Sequence, residues 1–311
     1  MPSILSKVKP GSQSGARPPA AVELVPGGVL AAALHAPGEP RHGGQVPVYA
    51  FEPLPAGALV PGIGEPNLRA PEAVANAIRS ALGQTSPRSR AVTLVLPDTV
   101  VRVFVLDFDS LPSKADEAFS VMRFRLRKMV PFEVEHAGLS YQVLTENKTE
   151  CKVLAAVIPG PILQEYEAAV RAAGYEPGAV LPSSLAALAG LDSIEAVLAA
   201  NLSGLALTTT ITNGHDLLLY RTLDLPEDSG QRLDEVRRGI AVAAAFYEDK
   251  LLARPSRLHY AGDGGAGEFA RWLDDPELAV IELAPHPQTG AVTALGNLSL
   301  AGVTGALAGA S

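Results

Sequence analysis

The chain has 311 residues, 47% of them hydrophobic, enough to bury a sizeable core in one to three domains, and its single cysteine excludes an internal disulfide. A formal charge of −8, from 25 Lys and Arg against 33 Asp and Glu, argues against general nucleic-acid binding. No apolar run reaches the length of a membrane span, and the start, Lys7 and Lys9 included, lacks a signal-peptide core, so the chain is expected in the cytosol with membrane attachment left to a partner.

Residues 1–20, rich in Ser, Pro and Gly, read as a flexible tail. Ala21 to Pro26 and Gly28 to Leu34 follow as strands joined at Pro26-Gly27-Gly28, with another strand from Pro47 to Phe51 and a Pro- and Gly-punctuated loop from Pro53 to Asn67. Pro71 opens a helix over Glu72 to Leu82 that Gly83 closes. The nearly all-apolar Ala91 to Leu96 fits a strand covered on both faces and ends at Pro97-Asp98; Val100 to Leu106 is the next strand.

From Ala118 to Val130 the spacing predicts a helix with two faces. Ala118, Phe119, Met122, Leu126, Met129 and Val130 share one arc, which is the stripe a helix turns to a core, and Pro131 stops the run. Phe124 falls opposite, among Arg123, Arg127 and Lys128. That face reads either as basic stems lying over apolar neighbours or as a docking surface. Gly138 to Leu144 and Cys151 to Ile158 pair as a hairpin, with Cys151 a structural thiol in the strand, and the helix Ile162 to Ala173 stops at Gly174. Residues 100–175 therefore read as a small α+β insertion with its own sheet.

Residues 175–182 lead to a helix over Ser184 to Gly190, with Ser183-Ser184 as its cap. Gly204 to Thr212 and Asp216 to Leu223 form a hairpin through Asn213-Gly214 that repeats the strand pair at 21–34, which suggests a duplicated fold. A long helix over Leu233 to Leu252, a strand Arg257 to Ala261, a glycine-rich loop 262–267, a helix Glu268 to Leu273, a strand Ala279 to Leu283 and a last helix Leu298 to Leu307 complete the chain. Motifs for catalysis are missing. His35, His42, His136, His215, His259 and His286 are scattered without metal-ligand spacing, Asp107-Phe108-Asp109 suits a solvated strand end, and neither a P-loop nor a nucleophile elbow occurs, so no catalytic or metal residue is assigned.

The order of elements, with Arg123 to Phe132 ending in Met-Val-Pro-Phe, Ala172-Ala173-Gly174-Tyr175-Glu176-Pro177 before the helix at 184, Tyr220-Arg221-Thr222-Leu223 after the second hairpin and Gly262-Asp263-Gly264-Gly265, resembles the PilM family of type IV pilus assembly proteins. The resemblance implies an α/β, actin-like duplicated fold of the actin, FtsA and Hsp70 ATPase superfamily. Its parts would be a first subdomain at 21–99, the insertion at 100–175, a return to the first half at 176–200, and a second half at 201–311. Family members bind ATP between the halves through an Asp-x-Gly in each opening hairpin. The matching places here read Ala20-Ala21-Val22-Glu23 and Asn201-Leu202-Ser203-Gly204, without the acid and glycine pair that holds Mg²⁺ and admits phosphate. Hydrolysis is therefore not expected, and Gly262, Asp263, Gly264 and Gly265 are left as a vestigial nucleoside contact, with Mg-ATP binding an open alternative.

The resemblance also implies an adaptor associated peripherally with the inner membrane. In the family, the N-terminal peptide of the membrane protein PilN lies in a groove between the first subdomain and the insertion. Leu94, Leu96, Val101, Val103, Phe104, Phe124, Val130, Pro131 and Phe132, with Arg123 and Arg127 at the rim, are the residues expected to line it. A pilus motor ATPase or platform protein would be a second partner, with neither nucleic acid nor direct membrane insertion. A working actin-like ATPase and the cytoplasmic domain of a GspL-like type II secretion protein are the alternatives.

Overall fold

The computed structural model describes residues 17–35, 46–147, 149–191, 193–214, 216–284 and 298–308, together with residue 310. Most of the expected tail, and His42, His215 and His286, lie outside them. In chain order the elements are β1 (Ala20–Val25), β2 (Gly28–His35), β3 (Val46–Pro53), α1 (Pro71–Thr85), β4 (Ala91–Leu96), β5 (Arg102–Phe108), α2 (Ala115–Leu126), β6 (Gly138–Glu146), β7 (Cys151–Ile158) and α3 (Gly160–Ala172). They continue as β8 (Glu176–Pro182), α4 (Ser183–Ala189), β9 (Ala196–Ser203), β10 (Ala206–Asn213), β11 (Asp216–Asp224), α5 (Ser229–Leu251), β12 (Arg257–Gly262), α6 (Gly265–Leu273), β13 (Ala279–Glu282) and α7 (Ala301–Leu307). Among the described residues, no helix is long and apolar enough to cross a membrane.

Two five-stranded sheets share one plan, β3-β2-β1-β4-β8 and β11-β10-β9-β12-β13, each an antiparallel meander followed by two parallel strands. The first sheet is buried on both faces because its strands alternate between two layers. Val22, Leu24, Val29 and Ala31 pack with Val74, Ile78 and Leu82 of α1. Ala21, Leu30, Ala32 and Val95 pack with Ala186 of α4 and with Val303, Ala306 and Leu307 of α7. In the second sheet Leu198, Ala200, Leu207 and Ile211 meet Val236 and Ile240 of α5, while Val197, Ala199, Leu217 and Tyr220 turn toward the first half and join its core.

The third sheet, β5-β7-β6, is the insertion. Period-two alternation along β7 sends Cys151, Val153, Ala155 and Val157 to the side of Met122 and Leu126 on α2. Leu154 and Ile158 go to the other side, where Ile162, Tyr166 and Val170 of α3 join the core of the first half. Helix α3 packs beside α1 and on β8 of the first sheet, while α2 covers one face of this small sheet. Its edge strand β5 lies against β11, where Arg102 pairs with Asp224 at 2.8 Å.

Four expectations change. The strand pair that repeats β1 and β2 is β9 and β10, turning at Gly204 with φ +59°, whereas the Asn213-Gly214 turn joins β10 to β11 and corresponds to the β2–β3 connection. Helix α7 leaves the second half and packs on the first sheet. Helix α2 ends at Leu126, so Met129 lies beyond it and is exposed. Residues Arg17 to Ala20 are not part of a loose tail, because Arg17 bridges to Ala310 and Ala20 is buried in β1.

Candidate functional site

Two places bring chemistry together: the cleft between the halves and the seam between α1 and α3. In the cleft, the β1–β2 turn, the β9–β10 turn, the β12–α6 turn and the start of α7 converge. Glu23, Pro26, Ser183, Asn201, Gly204, Gly262, Asp263 and Gly302 line a cavity of about 30 Å³. Glu23 accepts a hydrogen bond of 2.6 Å from Ser183 Oγ, and its burial, with the nearby Asp98 and Asp263 charges, pushes its pKa up to about 7. A Cβ at Gly302 would lie 2.3 Å from the Glu23 carboxylate, so glycine is required for the acid to fit.

Asp98, fully buried just after β4, is the hub. Its carboxylate accepts from Ser184 N at 3.1 Å and Ser184 Oγ at 3.0 Å in the first half, and from Asn201 Nδ2 at 3.2 Å and Thr208 Oγ1 at 2.8 Å in the second. Asn201 Nδ2 also donates to Ser183 Oγ at 3.2 Å, and Ser184 Oγ is bonded to the Tyr220 hydroxyl. Ser183 and Ser184 are therefore not caps: their hydroxyls bond Glu23, Asp98 and Tyr220, and it is the Asp98 carboxylate that takes the Ser184 amide at the start of α4. Desolvation raises the Asp98 and Asp263 pKa values as well.

These residues do not fit Mg-ATP. The cavity has room for about one water. Two carboxylates, Glu23 and Asp263, face it where phosphate would need donors, and Pro26 has no N–H in the first turn. Gly262, Gly264 and Gly265 have positive φ because β12 must turn sharply into α6, and the Ala266 amide of that helix donates to Glu282 Oε1 at 2.6 Å. The glycine-rich loop is thereby accounted for by its own turn.

The second place is larger. Helices α1 and α3 run side by side in the same direction and leave a groove of about 530 Å³, a volume typical of ligand sites. Leu68, Pro71, Glu72, Ala75, Asn76 and Arg79 form one wall, and Glu165, Ala168, Ala169 and Ala172 the other. Ala168, Ala169 and Ala172 keep the α3 wall low, and Ala75 does so at the middle of the α1 wall. At one end Glu165 Oε2 accepts from Asn67 N at 2.8 Å, and Asn67, wholly buried, accepts from the Tyr166 hydroxyl at 3.0 Å. At the other end Arg79 reaches across to donate to Ala172 O at 2.6 Å.

The residues expected to line a groove are dispersed. Leu94 and Leu96 lie in the core of the first half and offer no surface; Val101 and Val103 are buried in the same core, on the side away from α2. Phe104, Val130 and Phe132 are half-buried on the α2 side. Arg123 donates to the carbonyls of Val134 and Ala137, and Arg127 pairs with Glu135. Phe124 is 69% exposed, and Pro131 is exposed too. Alternate side chains of one strand face opposite layers, so Val103 and Phe104 lie on opposite faces of the third sheet. Helices α1 and α3 were both legible in the sequence, but nothing in it set one beside the other.

No family model and no curated protein matches the chain. Among solved structures, a PilM–PilN type IV pilus biogenesis complex is similar at a TM-score of 0.68 and 18% identity, over 94% of this chain and 98% of that one. The fold is actin-like. The cytoplasmic domain of EpsL, an inner-membrane component of the type II secretion system of Vibrio cholerae, matches at 0.48 and 14% identity over 88% and 90% of the two chains. A Bacteroides thetaiotaomicron protein with an actin-like ATPase fold and unknown function matches at 0.48 and 10% identity over 84% and 90%.

Proposed function

We propose that the chain is a non-catalytic adaptor of type IV pilus biogenesis that holds the N-terminal cytoplasmic peptide of a PilN-like inner-membrane protein in the groove between α1 and α3. The observation that carries this reading is the position of that groove. It opens on the first actin-like subdomain, between α1, packed on β2 and β3, and α3, packed on β8 and following directly on the last strand of the third sheet. The family resemblance implies a peptide site between the first subdomain and the insertion, which α3 connects, and the fold matches a PilM–PilN complex along nearly its whole length. The cleft adds to it, because a place packed with bonded carboxylates leaves no phosphate site. In this reading the chain sits at the cytoplasmic face of the inner membrane through its partner, and a pilus motor ATPase or platform protein is the class of second partner.

Calorimetric titration with a synthetic N-terminal peptide of the PilN-like protein from the same organism tests the proposal. The native chain is expected to bind the peptide, and Ala168→Trp, which fills the groove from an exposed position, is expected to weaken binding by about tenfold or more. Equal affinity for the native and filled chains would overturn it.

A further inference from the structure

The groove between α1 and α3 is electrically polar along its length. Glu72 and Glu165 stand at the end where both helices begin their contact, and neither is ion-paired with a cation among the described residues. At the opposite end, Arg79 lies on α1, and Arg88 and Arg90 follow in the loop that leaves that helix. Arg79 donates to Ala172 O and to Asn76 Oδ1, and Arg90 donates to Gly174 O at 2.6 Å, so both guanidinium groups are held by uncharged acceptors. Arg88 is exposed. Between the two ends the walls are Ala75, Ala168 and Ala169, with Asn76 turned to Arg79.

We infer that this polarity sets the direction of the bound segment: its cationic start, an α-ammonium or an early basic side chain, lies beside Glu72 and Glu165, apolar side chains lie over the alanines, and the chain leaves past Arg79. The inference rests on the adaptor reading and deepens it. Two uncompensated carboxylates at the edge of a low-walled apolar channel attract a positive group and reject a carboxylate there, which fixes register more than it adds affinity. The exit then has a consequence for the whole assembly. A segment that continues into a membrane protein leaves over Arg79, Arg88 and Arg90, which turns a basic rim toward the anionic cytoplasmic surface of the bilayer.

The test uses the full chain and three forms of the PilN-like N-terminal peptide: native, with its amino terminus acetylated and early basic residues changed to Gln, and with those basic residues changed to Glu. The neutral form is expected to bind about three- to tenfold more weakly than the native form, and the acidic form more weakly still. On the Glu72→Gln/Glu165→Gln chain the three should converge, because the charge pairing is then gone from both sides; glutamine keeps the acceptor for the Asn67 amide. Equal binding of all three forms to the native chain overturns this inference and leaves the adaptor reading standing. Binding of none overturns both. A photo-reactive group at the peptide's first residue should label the chain near Glu72 and Glu165, and labelling near Arg79 would show the reverse direction.

Discussion

Asp98 shows how one side chain can hold two halves together. A buried carboxylate without a cation is costly, and four donors, two from each half, offset that cost. Asp98→Ala strands those donors and is expected to lower stability by about 3 kcal/mol, read from chemical denaturation; a loss below about 1 kcal/mol would mean that the hub is not a clamp. Glu23 gives the pH dependence. Its folded pKa of about 7 lies above its ordinary 4.5, so the folded chain binds the proton more tightly than the unfolded chain does. The stabilisation is complete below 4.5 and is lost as pH rises through 7, a change of at most about 3 kcal/mol. Denaturation at pH 5 and pH 8 should show that fall in the native chain and a smaller one in Glu23→Gln. Neither side chain announced its bonding in the sequence, since Asp98 followed a strand-ending proline and looked like turn chemistry. The donors that explain it come from residues about 90 to 110 positions away, which local pattern does not link.

Elements were more legible than their partners. The helices over Glu72 to Leu82 and Ile162 to Ala173 were readable from spacing, Pro and Gly, and they became α1 and α3. Their shared groove was not readable, because periodicity marks which stripe is small and apolar but not which other helix it faces. On α2 the core stripe Ala118, Met122 and Leu126 is buried and Phe124 is exposed, as the spacing required, yet α2 packs on the third sheet while α1 and α3 pack on the first. Phe124→Ser should therefore leave stability within about 0.5 kcal/mol, whereas Met122→Ala should cost about 2–5 kcal/mol, both measured by thermal or chemical denaturation. Equal losses would place Phe124 in the core. The α4–α7 contact has its own sensitivity. A Cβ at Gly305 would lie 1.9 Å from Ala186 O, so Gly305→Ala should destabilise the chain by about 1–3 kcal/mol by forcing those helices apart.

At the scale of the molecule, the duplicated plan was visible in its hairpins, but its register was not. The alanine-rich Ala196 to Ala200 carries little strand signal, so the repeat was matched one strand late; sheet pairing across β9, β10 and β12 decides it. The C-terminal helix crosses back to the first sheet, closing a core that local sequence gives no reason to expect. With Asp98 bonded across the cleft and Arg102 paired to Asp224 between the insertion and the second half, the parts are held at two places by the chain's own side chains. In the proposed reading binding is carried by the groove, with the cleft as a fixed joint. Amide hydrogen exchange of the full chain, free, with the PilN-like peptide and with Mg-ATP, separates these roles. The peptide should protect amides along α1 and α3, and Mg-ATP should leave the turns at Val25 to Gly28 and Gly262 to Ala266 unchanged. Protection of those turns by Mg-ATP, or peptide protection confined to α2, would contradict a groove-bound adaptor with a closed cleft.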